Sequence, residues 1–219
     1  MYDKKEVVIK PNLEVKLDEL YKELGKAYYE GDFEDPLPQL LPIFDEITST
    51  KKEIENNMKY LIVVAHPDDE VLGVSASIWK WSHQGDEIDV AIMCTEAKAR
   101  AFRPKDNELE EDMNGALKYV GVHHKFEATF PNIEMNTVPH LKLVQFIESA
   151  IRESEPDIVI THHPADTNND HLMTSMACQE AVRLFQRRPE IKRVKELWYM
   201  EVPSCTEWAI NSAMSLFRP

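Results

Sequence analysis

The 219-residue sequence has few cysteines, few glycines and no long apolar run. Its three cysteines, Cys94, Cys178 and Cys205, are far apart and form no C-x-x-C pair, which disfavours both a disulfide framework and a thiolate metal site. No stretch reaches the roughly 18 consecutive apolar residues that a membrane span needs. Residues 1–11 also lack the apolar core of a signal peptide. We therefore expect a cytoplasmic protein whose cysteines serve in packing.

Positive charge is also scarce. The chain has 25 Lys and Arg against 39 Asp and Glu, which gives a formal net charge of −14. Such a surface repels a phosphate backbone, and no basic stripe interleaved with aromatic residues offsets it. This composition argues against nucleic-acid binding, and an acidic surface mainly supports solubility. A homo-oligomer stays possible.

Residues 1–57 are interpreted as an N-terminal helical extension. Apolar residues at three- and four-residue spacings predict an amphipathic helix over 12–31, and a charged helical segment is predicted over 44–57. Pro36, Pro38 and Pro42 lie between these segments and are expected to break regular structure. The extension is expected to serve as a packing element or a dimer contact.

From Met58 onward, predicted strands alternate with predicted helices, which is typical of an α/β protein. We predict a Rossmann-like, mostly parallel sheet flanked by helices, which forms one catalytic domain over residues 58–219. The predicted strands cover 60–65, 88–94, 125–130, 157–161 and 196–202, and the predicted helices cover 70–84, 107–120, 138–153 and 170–185.

Two loops are dense in histidine and aspartate, and each follows a predicted strand. Residues 65–70 read A-H-P-D-D-E, and residues 161–171 read T-H-H-P-A-D-T-N-N-D-H. Open α/β sheets place their ligands at the carboxyl ends of parallel strands. We therefore expect the two loops to face each other across one crevice.

The residue types in these loops point to a metal site. His66 and Asp69 are three residues apart and can converge on one cation, and an imidazole from the distant loop would complete three protein ligands. Three ligands leave one position for water, as in catalytic zinc sites. Asp68 beside them could serve as a general base. Mixed nitrogen and oxygen donors suit zinc, although iron, cobalt and manganese stay open.

Other readings of the same residues exist. Paired aspartates after a strand often only cap a helix N-terminus, and His162 or His163 could be a hydrogen-bonded core histidine. Two such loops at equivalent strand ends, in a chain with eight histidines, favour the metal site.

The run A-H-P-D-D-E resembles, letter for letter, the hallmark of the PIG-L/LmbE family of zinc-dependent N-deacetylases. The resemblance extends from about residue 58 to the C-terminus and takes in 156–171 and 196–204. It implies that His66, Asp69 and His171 bind zinc and that Asp68 is the catalytic base.

The resemblance also implies a second catalytic histidine that stabilises an oxyanion or protonates the leaving amine. Because Asn168 stands where some relatives have that histidine, the candidate is His163, with His162 second. Asp170 is expected to orient the catalytic histidine. Arg100 and Arg103 are expected to hold a phosphate or sugar hydroxyls, with solvated loop charges as the alternative.

The implied activity is removal of an N-acetyl group from an amino sugar or its conjugate, with release of acetate. One alternative is a hydrolase of another small-molecule amide. A second is an inactive subunit that binds a sugar or a partner. That alternative is motivated by the end of the chain at Pro219, where relatives continue, and by Gly73, which is not followed by the usual second glycine. The presence of Asp68 favours catalysis.

Overall fold

The computed structural model describes residues 13–30, 37–95 and 106–206. The first two helices, α1 (Leu13–Glu30) and α2 (Leu37–Asn56), belong with His83–Gly85 to one compact unit. Leu20 and Ile47 are buried, and Lys16 Nζ lies 3.0 Å from Glu46 Oε1. The second unit takes in Met58–Ser82 and the described residues from Asp86 onward.

The expectation that prolines interrupt the chain before residue 44 is wrong for Pro38 and Pro42, because both lie within α2. Pro38 is in the first helical turn, where a backbone N–H would have no partner inside the helix. Pro42 removes one backbone hydrogen bond in the second turn, which the long helix tolerates. Pro36 lies outside the described residues.

The second unit is built on a parallel sheet of five strands in the order β3-β2-β1-β4-β5. This confirms the predicted Rossmann-like α/β fold. The strands are β1 (Lys59–Val64), β2 (Glu87–Ile92), β3 (His124–Glu127), β4 (Ile158–His162) and β5 (Glu196–Met200). The helices are α3 (Asp69–Gln84), α4 (Asp106–Val120), α5 (His140–Ser154), α6 (Asn169–Ala181) and α7 (Pro203–Thr206).

Two apolar cores cover the two faces of this sheet. Because side chains alternate along a strand, Leu61 and Val63 of β1 face the core that contains the buried residues of α5 and α6. Ile62 and Val64 face the other core, which holds Ile78 of α3 and the buried residues of α4. The central strands are therefore continuous apolar runs, because both of their faces are buried.

In the second unit most predicted element bounds agree with the structure to within two residues, and the larger differences fall at two ends. In the first unit α2 begins at Leu37, seven residues before the predicted start. Strand β3 stops at Glu127, after which the chain forms an isolated antiparallel bridge between Cys94 and Thr129. Helix α6 stops at Ala181 and is followed by a 3₁₀ turn over Leu184–Gln186. The three cysteines are buried and form no disulfide, as predicted. Within the described ranges, no helix is both long enough and apolar enough to cross a membrane.

Gly73 allows α3 to lie close to the end of β5. A Cβ built at residue 73 would meet Met200 Sδ at 2.7 Å and Val202 Cγ1 at 3.3 Å, whereas one built at Gly115 of α4 meets nothing within 4 Å.

Helix propensity alone favours alanine over glycine by about 1 kcal/mol, but overpacking costs about 1–3 kcal/mol. We expect Gly73→Ala to lower the free energy of unfolding by roughly 1 kcal/mol and Gly115→Ala to raise it by up to about 1 kcal/mol. Urea denaturation of both variants checks this, and equal stabilisation of both would contradict the close packing.

Candidate metal centre

The candidate site lies where the strand order of the sheet reverses direction. Strands β1 and β4 are neighbours, with Val63 paired to Thr161, and the chain leaves them toward opposite faces of the sheet. Such a switch point opens a crevice at the carboxyl ends of the strands. The loop after β1 and the loop after β4 both begin at this crevice, as expected from the sequence.

Three side chains converge there. His66 Nδ1 lies 3.4 Å from Asp69 Oδ2 and 3.3 Å from His171 Nε2, and the distance between His171 Nε2 and Asp69 Oδ2 is 3.3 Å. All three residues are buried. The backbone places His66 and Asp69 together, because the His66 N–H donates to Asp69 Oδ2 at 2.9 Å where α3 begins.

This nearly equilateral triangle fits one divalent cation. Zinc bonds of about 2.0–2.1 Å in a tetrahedron put neighbouring ligand atoms about 3.3–3.4 Å apart. The three measured edges of 3.3–3.4 Å match that spacing. Two imidazoles and one carboxylate are also a ligand count that catalytic zinc sites use, with a further position for water or substrate.

Asp170 fixes the ring of His66. Its Oδ2 lies 3.0 Å from His66 Nε2, and its carboxylate accepts the backbone N–H groups of Ile133 and Met135. A carboxylate in this position sets the tautomer of a ligating histidine and raises its basicity. The sequence-based expectation assigned Asp170 to the catalytic histidine, whereas its contact in the structure is to a predicted metal ligand.

Asp166 does the same for His171, a pairing that the sequence reasoning missed. Asp166 Oδ2 lies 3.0 Å from His171 Nδ1 and accepts a hydrogen bond of 2.9 Å from the Ser204 hydroxyl. Asp166 Oδ1 accepts the Asn168 N–H at 2.8 Å. The signal available for Asp166 was its place five residues before His171 in a histidine-rich loop. No local pattern marks Ser204, because it reaches the site through the tertiary fold.

The electrostatics of the cluster favour positive charge. Burial alone would lower the pKa of His66, but hydrogen bonds to Asp170 and Asp69 outweigh it and raise that pKa to about 9. The pKa of His171 is likewise raised to about 9, because hydrogen bonds to Asp166 and Asp69 outweigh burial. Burial would raise the pKa of Asp69, yet the surrounding imidazoles hold it well below its usual value. The carboxylates of Asp69, Asp166 and Asp170 therefore stabilise positive charge at the two imidazoles, whether it comes from bound protons or from a metal cation.

His162 is built into the wall of the site. It is fully buried, and its ring stacks on that of His171 with centroids 3.9 Å apart. Its Nε2 accepts the Ala65 N–H at 2.9 Å, so the ring proton of the neutral imidazole is on Nδ1 and no lone pair is free for a metal. Burial lowers the pKa of His162, which keeps it neutral. His162, Asp166 and His171 form a second group with possible ligand atoms within 4.8 Å of one another, which shares His171 with the first.

The other predicted site residues lie at its margin or outside the described part of the chain. Asp68 is half buried in the turn that opens α3. His163 is half buried, its Nδ1 accepts the Ala165 N–H at 3.1 Å, and its ring contacts Tyr199. Among the described contacts, none joins His163 to the three converging residues. Arg100 and Arg103 lie outside the described residues.

Fold and site together define an α/β protein with a candidate cation site of two histidines and one aspartate at the switch point of its sheet. Residues 61–182 match the PIG-L family, described as GlcNAc-PI de-N-acetylase, and the chain belongs to this family. The chain is also 30% identical over 131 residues to the uncharacterized deacetylase YaiS of Escherichia coli strain K12, covering 56% of this chain and 67% of that protein.

Solved structures share the fold. A conserved protein from Thermus thermophilus aligns with a TM-score of 0.58 at 24% identity, over 65% of this chain and 66% of the other. For 4-carboxy-2-hydroxymuconate hydratase of Pseudomonas putida the TM-score is 0.52 at 19% identity, over 63% and 62%. For N,N'-diacetylchitobiose deacetylase of Pyrococcus horikoshii it is 0.50 at 19% identity, over 80% and 61%. The chain thus spans less than two thirds of each of these three proteins.

Proposed function

We propose that this chain is a zinc-dependent N-deacetylase that hydrolyses the acetamide of an N-acetylated amino sugar or of its conjugate and releases acetate. The observation that carries the proposal is the triangle of His66, Asp69 and His171, with edges of 3.3–3.4 Å, adjoining Asp68 in a chain of the PIG-L family. The fold alone would not suffice, because a hydratase shares it.

The two imidazoles and one carboxylate favour zinc, and the carboxylates of Asp170 and Asp166 hold these imidazoles in position for a metal. When bound, the divalent cation would polarise the acetamide carbonyl and lower the pKa of water toward about 7. Asp170 and Asp166 hold the two imidazoles with Nδ1 of His66 and Nε2 of His171 turned toward Asp69. The two imidazoles are therefore already oriented before the metal binds, which favours binding.

Asp68 acts as the general base. Its backbone is fixed, because its carbonyl accepts the N–H groups of Val71 and Leu72 at 3.1 and 2.9 Å in the first turn of α3. Its side chain is half buried, whereas Asp69 beside it is buried. The carboxylate accepts a proton from the water that attacks the acetamide carbon. It then returns a proton to the departing nitrogen, which leaves as the free amine of the sugar.

His163 is proposed as the donor to the oxyanion that forms on the acetamide oxygen. Because its Nδ1 accepts the Ala165 N–H, the neutral ring carries its proton on Nε2 and presents that nitrogen as a donor. A donor aimed at developing negative charge stabilises the transition state. Arg100 and Arg103 are proposed to contact sugar hydroxyls or a phosphate of the substrate.

A sugar substrate is supported by the N-acetylglucosamine conjugate in the family description. We expect the purified chain to hold about one zinc ion and to release acetate from N-acetylglucosamine conjugates, to lose that activity with a chelator and to regain it with zinc. Elemental analysis and an acetate assay over N-acetylhexosamines, diacetylchitobiose and N-acetyl amino acids test this.

Each other outcome of that screen has a definite meaning. Acetate release that withstands complete metal removal would contradict a metal-dependent reaction. Equal release from N-acetyl amino acids would favour the alternative of a general amide hydrolase. A chain that holds zinc but releases acetate from no substrate would favour the alternative of an inactive binding subunit.

A further inference from the structure

A cavity of about 410 Å³ lies between the second half of α5 and the segment that follows α6. Its volume falls within the roughly 300–1,000 Å³ that small-molecule pockets occupy. The residues that matter here are Gln145, Glu148 and Arg152 of α5, and Leu184, Arg188 and Ile191 of the later segment.

This cavity is remote from the candidate metal centre. Helix α5 leads into β4, and α6 starts at the carboxyl end of β4 and runs back along the sheet. The end of α5 and the residues after α6 therefore lie at the edge where the parallel strands begin. The metal centre is at the opposite edge, so a ligand in the cavity would not touch it.

The segment beside the cavity is basic, whereas the chain as a whole is acidic. Residues 183–195 contain six basic residues and one acidic residue, Glu190, in a protein with a net charge of −14. Some of these cations have partners. Lys192 and Lys195 each lie 2.9 Å from Asp157 Oδ1, and Arg187 forms an ion pair with Glu148.

Two guanidinium groups of the cavity wall are left with little or no pairing. Arg152 is exposed and has no hydrogen bond or ion pair within the described part of the chain. Arg188 lies 4.0 Å from Glu190, at the limit of an ion pair. The wall also contains two carboxylates, Glu148 and Glu190. Arg187, which is not a lining residue, already pairs with Glu148, so Glu190 is the remaining carboxylate beside the two arginines.

We propose that this cavity binds a small organic phosphate, with the phosphate group held by Arg152 and Arg188 and the organic part against Leu184 and Ile191. The planar guanidinium fork matches phosphate oxygens with two parallel hydrogen bonds, and two such groups suit a dianion better than a single carboxylate. The cavity is larger than a bare phosphate needs, and its apolar residues can contact a carbon skeleton.

Calorimetric titration of the full chain with glucose 6-phosphate, inorganic phosphate and uncharged glucose tests the proposal. We expect saturable binding of glucose 6-phosphate at least as tight as that of inorganic phosphate, and no binding of glucose. In the double variant Arg152→Gln/Arg188→Gln the affinity should fall by about tenfold or more, because both charge-assisted contacts are lost. The control Arg183→Gln removes an exposed arginine of the same segment that is bonded to Gln186, and it should bind like the parent chain.

The same titration can overturn the proposal. Phosphate could also reach a metal at the distant centre, and such binding would persist in the double variant and disappear with a chelator. Binding that persists in the double variant, tighter binding of inorganic phosphate than of the sugar phosphate, or no binding at millimolar concentration would each refute it. Circular dichroism and metal content of the double variant should match those of the parent chain, because neither arginine supports the fold or the metal centre.

Discussion

Replacing Asp68 by asparagine is expected to lower the rate of acetate release by about 10²–10⁴-fold, the usual contribution of a general base. Asparagine keeps the size of the side chain but cannot accept the proton of the attacking water. The three converging side chains are untouched, so the zinc content should stay at the level of the parent chain. Steady-state assays together with elemental analysis of the same preparations measure both quantities.

The control for this variant is Asp112→Asn, which removes an exposed carboxylate from α4 and should change neither quantity. If Asp68→Asn retained full turnover on a substrate that the parent chain hydrolyses, Asp68 would not be the base. If it lost zinc together with activity, its role would lie in metal binding.

The variant Asp69→Asn should bind zinc more than about 100-fold more weakly, beyond the 10–100-fold that loss of an outer partner costs. Asparagine still offers an oxygen to the His66 N–H that Asp69 Oδ2 accepts at 2.9 Å, so the start of α3 should survive. The fall in zinc affinity would therefore report the loss of a charged ligand and not a disrupted start of α3. Competition for zinc against a chelating dye measures the affinity without reference to activity.

Asp166→Asn provides a graded comparison for the same measurement. It keeps the hydrogen-bonding shape beside His171 but removes the carboxylate 3.0 Å from Nδ1, so zinc affinity should fall by about 10–100-fold. An affinity for Asp69→Asn equal to that of the parent chain would show that the metal binds elsewhere. A larger loss for Asp166→Asn than for Asp69→Asn would reverse the assignment of ligand and outer partner.

The sequence was sufficient to predict the sheet and the region of the site, because both follow from local patterns. Strands such as β1 and β4 begin as apolar runs that are typical of a parallel sheet covered on both faces, and each is followed by a loop that contains histidine and aspartate. The register that pairs Val63 with Thr161 then brings the two loops together. His66 and Asp69 could be selected on that basis, whereas the choice of His171 among the histidines of the second loop came from the family resemblance. The distances between these side chains could not be predicted.

Roles that depend on the direction of a side chain could not be derived in this way. His162 and His163 are adjacent in sequence, yet one is buried against His171 and the other faces Tyr199, because alternate residues at the end of a strand point to opposite sides. Asp170 and Asp166 are equally plausible partners for any nearby histidine, and only the packed loop assigns them to His66 and His171. The helix through Pro42 was missed for a related reason, because a long helix compensates for one missing hydrogen bond.

The sequence by itself determined the α/β class, the order of strands and helices, and the two loops that carry the candidate site, because apolar periodicity and residue type are properties of the chain. The tertiary structure alone decided that three candidate ligand atoms lie 3.3–3.4 Å apart, which carboxylate contacts which imidazole, and that Ser204 contacts Asp166 across 38 residues of sequence. Such distances arise from packing between segments remote in sequence, which no local pattern encodes.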